Sequence, residues 1–140
     1  MRCARAIRRG CRGVLLAALA ATTGCGAAAG EREDAASAAA TGFTGALERA
    51  DGRRACALLA PRTLDDLEKS GQTSCDRAVI QEGLPAGDTV RGVDVYGDQA
   101  RVVLADDTLF LAHFPTGWKV TAAGCTPRPE QPYDCAVQGG

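Results

Sequence analysis

The apolar pattern of this chain changes period once, and that change limits the fold more than any other feature. From Ala36 to Ala50, apolar residues recur at three and four (Ala36, Ala39, Ala40, Phe43, Ala46, Leu47, Ala50), which is one stripe of an amphipathic helix. From Val90 onward the period is two, the repeat of a half-buried strand. Between them Gly83 to Asp88, with Pro85 and Gly87, breaks the chain. Helices first and alternation afterwards predict an α+β domain.

Asp51-Gly52 is expected to end the long helix, with Asp51 capping a second one over Arg53 to Ala60. Pro61 is expected to stop it. Thr63 with Asp66 resembles a capping box opening a short helix through Leu64 and Leu67, closed by Gly71. Cys75 to Gln81 adds a further turn or two. The strands are predicted over Val90 to Tyr96, Ala100 to Ala105, Thr108 to Phe114 and Trp118 to Ala123, with turns at Gly97-Asp98, Asp106-Asp107 and Pro115-Thr116-Gly117. The expected architecture is a long N-terminal helix plus short helices packed on a curved four-stranded antiparallel sheet. The Pro-rich tail from Thr126 to Gly140 would be loose unless Cys135 ties it to Cys125.

The first residues carry a different message. Arg2, Arg5, Arg8, Arg9 and Arg12 form a positive leader with no acid. Val14 to Ala21 is an apolar run of eight, well short of the roughly 20 residues that span a bilayer. A basic head, a short apolar stretch and then small residues read as an export signal. Thr22-Thr23-Gly24-Cys25 resembles the lipobox of bacterial lipoproteins, although Thr22 stands where that family prefers Leu. The resemblance implies cleavage before Cys25 and lipid (diacylglyceryl, palmitate) on its sulfur. Such a protein is anchored at the outer face of the cell membrane, since two or more acyl chains hold stably where one does not. Cleavage after Ala27-Ala28-Ala29 would give a secreted protein instead, but that site lies eight residues beyond the apolar run. The expected organisation is a signal peptide over 1–24, a flexible tether over 25–34 (small and charged) and one disulfide-stapled domain over 35–140.

Removing the leader discards Cys3 and Cys11 and commits Cys25 to lipid. Cys56, Cys75, Cys125 and Cys135 remain, an even set in an exported domain. Of three pairings, Cys56–Cys75 and Cys125–Cys135 are favoured because each is local. Zinc spacing is absent, with no Cys-x-x-Cys and one histidine, His113. From Cys25 onward eleven basic residues face seventeen acidic ones, a net charge of −6. That balance disfavours nucleic acid, which needs clustered Lys and Arg.

The element order resembles the nuclear-transport-factor-two-like (cystatin-like) fold. More narrowly, the chain resembles small actinobacterial lipoproteins of unknown function. The supporting residues are the Cys56 and Cys75 helical pair, Gly117-Trp118-Lys119-Val120, and Gly124-Cys125 followed by Tyr133-Asp134-Cys135. The resemblance implies a cone-shaped pocket between helix and sheet. The candidate pocket residues are Asp94, Tyr96, His113 and Trp118. Alternation puts Asp94 and Tyr96 on one face of the first strand, and His113 with Leu109 and Leu111. A solvated strand carboxylate, a half-buried histidine and a core tryptophan explain the same residues without chemistry. Ser37, Ser70 and Ser74 have no nucleophile elbow, no Gly-rich phosphate loop appears, and no cofactor is expected. The expected function is a non-enzymatic exported lipoprotein that binds a small ligand or an envelope protein, or acts as an accessory subunit. The alternative is an isomerase or dehydratase using Asp94 or His113, with an Asp as general base.

Overall fold

Alanine is the strongest helix former and the smallest side chain that still packs, and α1 (Cys25–Glu48) uses it for both purposes. Ala36, Ala40, Phe43 and Ala46 are fully buried and form its inner stripe. The small residues let the helix lie close across β1, β2 and β4, while Phe43 fills the centre. The structure is a computed structural model that describes residues 25–87 and 89–139. The leader expected over 1–24 lies outside the described residues.

Three short helices follow, α2 (Gly52–Leu58), α3 (Pro61–Gly71) and α4 (Cys75–Gln81). Asp51 caps α2 as expected, its carboxylate accepting the Arg54 N–H at 3.1 Å. Gly52 serves a close approach rather than a helix stop. A Cβ there would fall 1.9 Å from the Asp76 carbonyl oxygen, so only glycine lets α2 and α4 meet. A disulfide between Cys56 and Cys75 fixes the same contact.

The sheet is a meander in the order β1-β2-β3-β4-β5, every pair antiparallel. The strands are β1 (Val90–Tyr96), β2 (Gln99–Leu104), β3 (Thr108–Phe114), β4 (Gly117–Arg128) and β5 (Gln131–Gln138). The β1–β2 turn pairs Tyr96 with Gln99 around Gly97, whose φ of 57° suits a two-residue hairpin. Val102, Leu109, Leu111 and Val120 line up across neighbouring strands and are at most 1% exposed under α1. Each such side chain contributes roughly 1.5–3 kcal/mol by leaving water. Near Thr121 a register shift in the β3–β4 pairing accompanies two extra contacts. The Thr121 carbonyl accepts the Thr63 hydroxyl at 3.1 Å and the Gly139 N–H at 3.0 Å, joining α3 and the end of the chain to β4.

Three expectations are corrected. The segment 25–34, expected as a flexible tether, is helical, because α1 begins at Cys25. Its alanines favour helix, and Arg32 donates to the Gly97 carbonyl and pairs with Asp98, holding that end on the β1–β2 turn. Pro61 opens α3 rather than only stopping α2. A helix's first residue needs no N–H, so proline suits that place. Thr63 is therefore inside α3 and buried, not its cap. Finally, the sheet has five strands rather than four. The tail forms β5, with Cys135 directly opposite Cys125 and disulfide-bonded to it.

Candidate functional site

The four candidate pocket residues come from both faces of the sheet. Hairpin register decides this. Val95 pairs with Ala100, Ala100 with Leu111, and Leu111 with Val120, and these residues face α1. Asp94 and Tyr96 alternate with them and so point away from the helix. His113 and Trp118 pair with each other on the helix face.

On the helix face, Trp118 is 6% exposed and meets His113 edge-on, with ring centroids 5.1 Å apart. The Arg32 guanidinium lies 5.4 Å from the Trp118 ring centre. A cation over an aromatic face contributes about 0.5–1 kcal/mol where water has access. Together with the Arg32–Asp98 pair this fastens the first turns of α1 to the sheet. The rest of that interior is filled: Phe43, Val102, Leu109, Leu111 and Val120 lie under 2% exposed between helix and sheet.

On the outer face, Asp94 pairs with Arg101. The Arg101 Nε and Nη2 both donate to Asp94 Oδ2, at 3.0 and 2.6 Å. The register makes this pair inevitable, since Asp94 and Arg101 are directly opposed across the hairpin. The Asp94 carboxylate raises the Arg101 guanidinium above its ordinary pKa, and Tyr133 adds a smaller share. Both side chains are more than a third exposed, so the pair adds at most about 1 kcal/mol to stability. Tyr133 of β5 meets Phe110 of β3 edge-on at 5.1 Å. Its approach to both Phe110 and Arg101 shows the far end of the β4–β5 hairpin turning in over this face. Beside it runs an open groove of about 500 Å³ lined by Tyr96, Gln99, Arg101, Phe110, Ala112 and Thr121. Tyr96 is 69% exposed at its edge.

The groove has one charge-balanced ion pair, aromatic surface and amide and hydroxyl groups. Such a surface can hold an uncharged amphipathic ligand or the side chains of a partner, since Tyr, Phe and Arg carry much of the energy at interfaces. It does not combine the two candidate bases, because His113 lies on the other side of the sheet. The sequence reading missed Arg101, although the two-residue turn it placed at Gly97-Asp98 sets Arg101 opposite Asp94. Phe110 and Tyr133 were not legible, because the β2–β3 register and the β5 fold carry them there.

A second polar centre is structural. Asp107 is 8% exposed. Its Oδ1 accepts the N–H groups of Thr108 at 2.7 Å and Cys125 at 2.9 Å, and its Oδ2 accepts that of Gly124 at 2.9 Å. Burial pushes its carboxyl above the usual pKa, opposed by those three donors. Gly124 needs to be glycine, with φ of 65° and an added Cβ 2.8 Å from Leu84 Cδ2. Among the described residues no three of His, Cys, Asp and Glu converge as a cation site, and no helix is long and apolar enough to cross a membrane. Comparisons with protein-family models, curated proteins and solved structures find no match to this chain.

Proposed function

We propose that this is an exported lipoprotein, held at the outer face of the cell membrane by lipid on Cys25, whose domain binds rather than catalyses. Its business surface is the outer face of the sheet, offered to a small amphipathic ligand or a neighbouring envelope protein. The observation that carries this reading is the closed interior between α1 and the sheet. An isomerase-type site needs an enclosed pocket with an acid or base inside it. Here that space holds Phe43, Val102, Leu109, Leu111 and Val120, and Asp94 sits outside, bound to Arg101. The likeness to nuclear-transport-factor-two-like lipoproteins belongs to the same proposal and rests on the order of helices before an antiparallel meander.

Because α1 starts at Cys25, the anchor continues straight into the domain. At about 1.5 Å per residue, its 24 residues extend about 35 Å, with the stripe from Ala36 to Ala46 packed on the sheet. Mass spectrometry of the mature protein, with and without reduction, tests the anchor. The expected species begins at Cys25, carries a diacylglyceryl group and gains four hydrogens on reduction. A mature chain that begins elsewhere and lacks lipid refutes it. A photo-crosslinking residue at Tyr96 tests the face in cells. Adducts there, absent from the same residue at Lys69 on α3, support binding; equal labelling at both refutes it.

A further inference from the structure

The groove on the outer face of the sheet owes its shape to one small side chain. Ala112 of β3 stands between Gln99 of β2 and Lys119 of β4. The row that begins with Tyr96 and Gln99 therefore dips at β3, with Phe110 two residues away on the same face. Resting on the reading of this face as the binding surface, we propose that the dip is a site for a neutral saccharide. Its volume of about 500 Å³ is that of a small-ligand site.

Ionic ligands find no free counter-charge here. Among the described residues Arg101 is the only charged one that lines the groove, and its Nε and Nη2 both donate to Asp94. Lys119 ends the row, but its ammonium donates to the Ala57 carbonyl at 2.7 Å, over a different cleft. Binding of an ion gains little where every charge is already matched.

The uncommitted polar groups are of the kind that hydroxyls need. Within the described residues no hydrogen bond uses the Tyr96 hydroxyl or the Gln99 amide. Each of these groups both donates and accepts, as a sugar hydroxyl does. Thr121 Oγ1 gives its proton to the Phe110 carbonyl at 3.1 Å and keeps lone pairs for accepting. The apolar part of a sugar is also served. A pyranose presents C–H bonds on its faces and hydroxyls around its rim, and the negative face of an aromatic ring attracts those C–H bonds. Tyr96 is 69% exposed, and Phe110 is braced edge-on by Tyr133 at 5.1 Å. A ring held in place loses little entropy on binding.

Other neutral occupants fit less well. An extended peptide binds by adding to a sheet edge, whereas this groove crosses β2, β3 and β4, each paired on both sides. An acyl chain would cover the Tyr96 and Gln99 polar groups without bonding them, at a cost.

The test uses the full chain in a polyoxyethylene detergent, which carries no sugar, and isothermal titration with cellotetraose, maltotetraose, the tetramer of N-acetylglucosamine and, for comparison, tetra-alanine. At least one sugar is expected to bind with a dissociation constant of about 1 mM or below, and tetra-alanine is not. Tyr96→Ala is expected to weaken the sugar about fivefold. Ala112→Leu fills the dip and is expected to abolish the heat, with Lys69→Gln unchanged. No binding of any of the three sugars, sugar binding that neither groove variant weakens, or binding of tetra-alanine alone would overturn the site. Photo-adducts at Tyr96 without sugar binding strike the saccharide and leave the face as a binding surface; equal labelling at Tyr96 and Lys69 strikes the face itself. Circular dichroism melting confirms that the variants fold.

Discussion

Replacing Asp107 by Ala removes one carboxylate that serves three backbone donors on two strands. Thr108 lies on β3, and Gly124 and Cys125 lie on β4. Two of these bonds are buried and one is partly exposed, so water can replace only the Gly124 partner. A buried N–H left without an acceptor costs about 1–3 kcal/mol. Against this, the variant relieves the desolvation of a charge in a site that is 8% exposed, the same burial that lifts the carboxyl's pKa. The net expectation is a loss of about 3 kcal/mol, a large part of the roughly 5–15 kcal/mol that holds a domain. The assay is urea unfolding followed by circular dichroism, with disulfides intact. With a slope of about 1–3 kcal/mol per molar, the midpoint should fall by more than about 1 M at unchanged slope. Asp107→Asn is the informative control. Its amide oxygen can still accept from Thr108 and Cys125, so it should lose about half as much. If Asp107→Ala loses less than about 1 kcal/mol, the bonds to Asp107 do not hold the β3–β4 connection and the reasoning fails.

Four further outcomes are expected. Because burial raises Asp107's folded pKa above its ordinary value of 3.8, the folded chain keeps that proton more tightly than the unfolded one. Its contribution to stability is then greatest below 3.8 and declines as pH rises through the folded value, so the urea gap between wild type and Asp107→Asn should be narrower at pH 7 than in acid. Replacing both Cys56 and Cys75 by Ala opens a link with a sequence separation of 19 and should cost about 3 kcal/mol in the chain-entropy account, read by the same unfolding; a loss below about 1 kcal/mol counts against that account. Gly124→Ala forces a side chain into positive φ and within 2.9 Å of Ala136 Cβ, and its melting temperature should fall by several degrees, about what 1–2 kcal/mol gives. Arg32→Ala should speed amide exchange in the first turns of α1 without changing global stability by more than about 1 kcal/mol; unchanged exchange there shows that the contacts with Trp118 and Asp98 do not hold the helix end.

Local chemistry made much of the helical half readable. The stripe from Ala36 to Ala46, the Asp51 cap and the break after Gly83 each depend on neighbours in sequence. The β1–β2 hairpin was equally legible, because a two-residue turn dictates its own register, although the Asp94–Arg101 pair that follows from it was missed. Both disulfides joined residues close enough in sequence for locality to select them. The fifth strand was misread because three prolines near the tail look like disorder; Pro132 is tolerated on an edge strand. The first turns of α1 were misread for the opposite reason, since two glycines offset the helix preference of its alanines and contacts with Gly97, Asp98 and Trp118 hold it.

The sequence by itself determined the class of domain and the alternation that separates Asp94 and Tyr96 from Val93 and Val95, and it favoured one of three pairings of the four cysteines, the one the structure has. Only the tertiary structure decided which of those faces is inside, because alternation is symmetric until a helix covers one side. Tertiary packing likewise gave Asp107 two of its three donors, the Gly124 and Cys125 N–H groups. Those two lie on another strand, where no local rule connects them to Asp107.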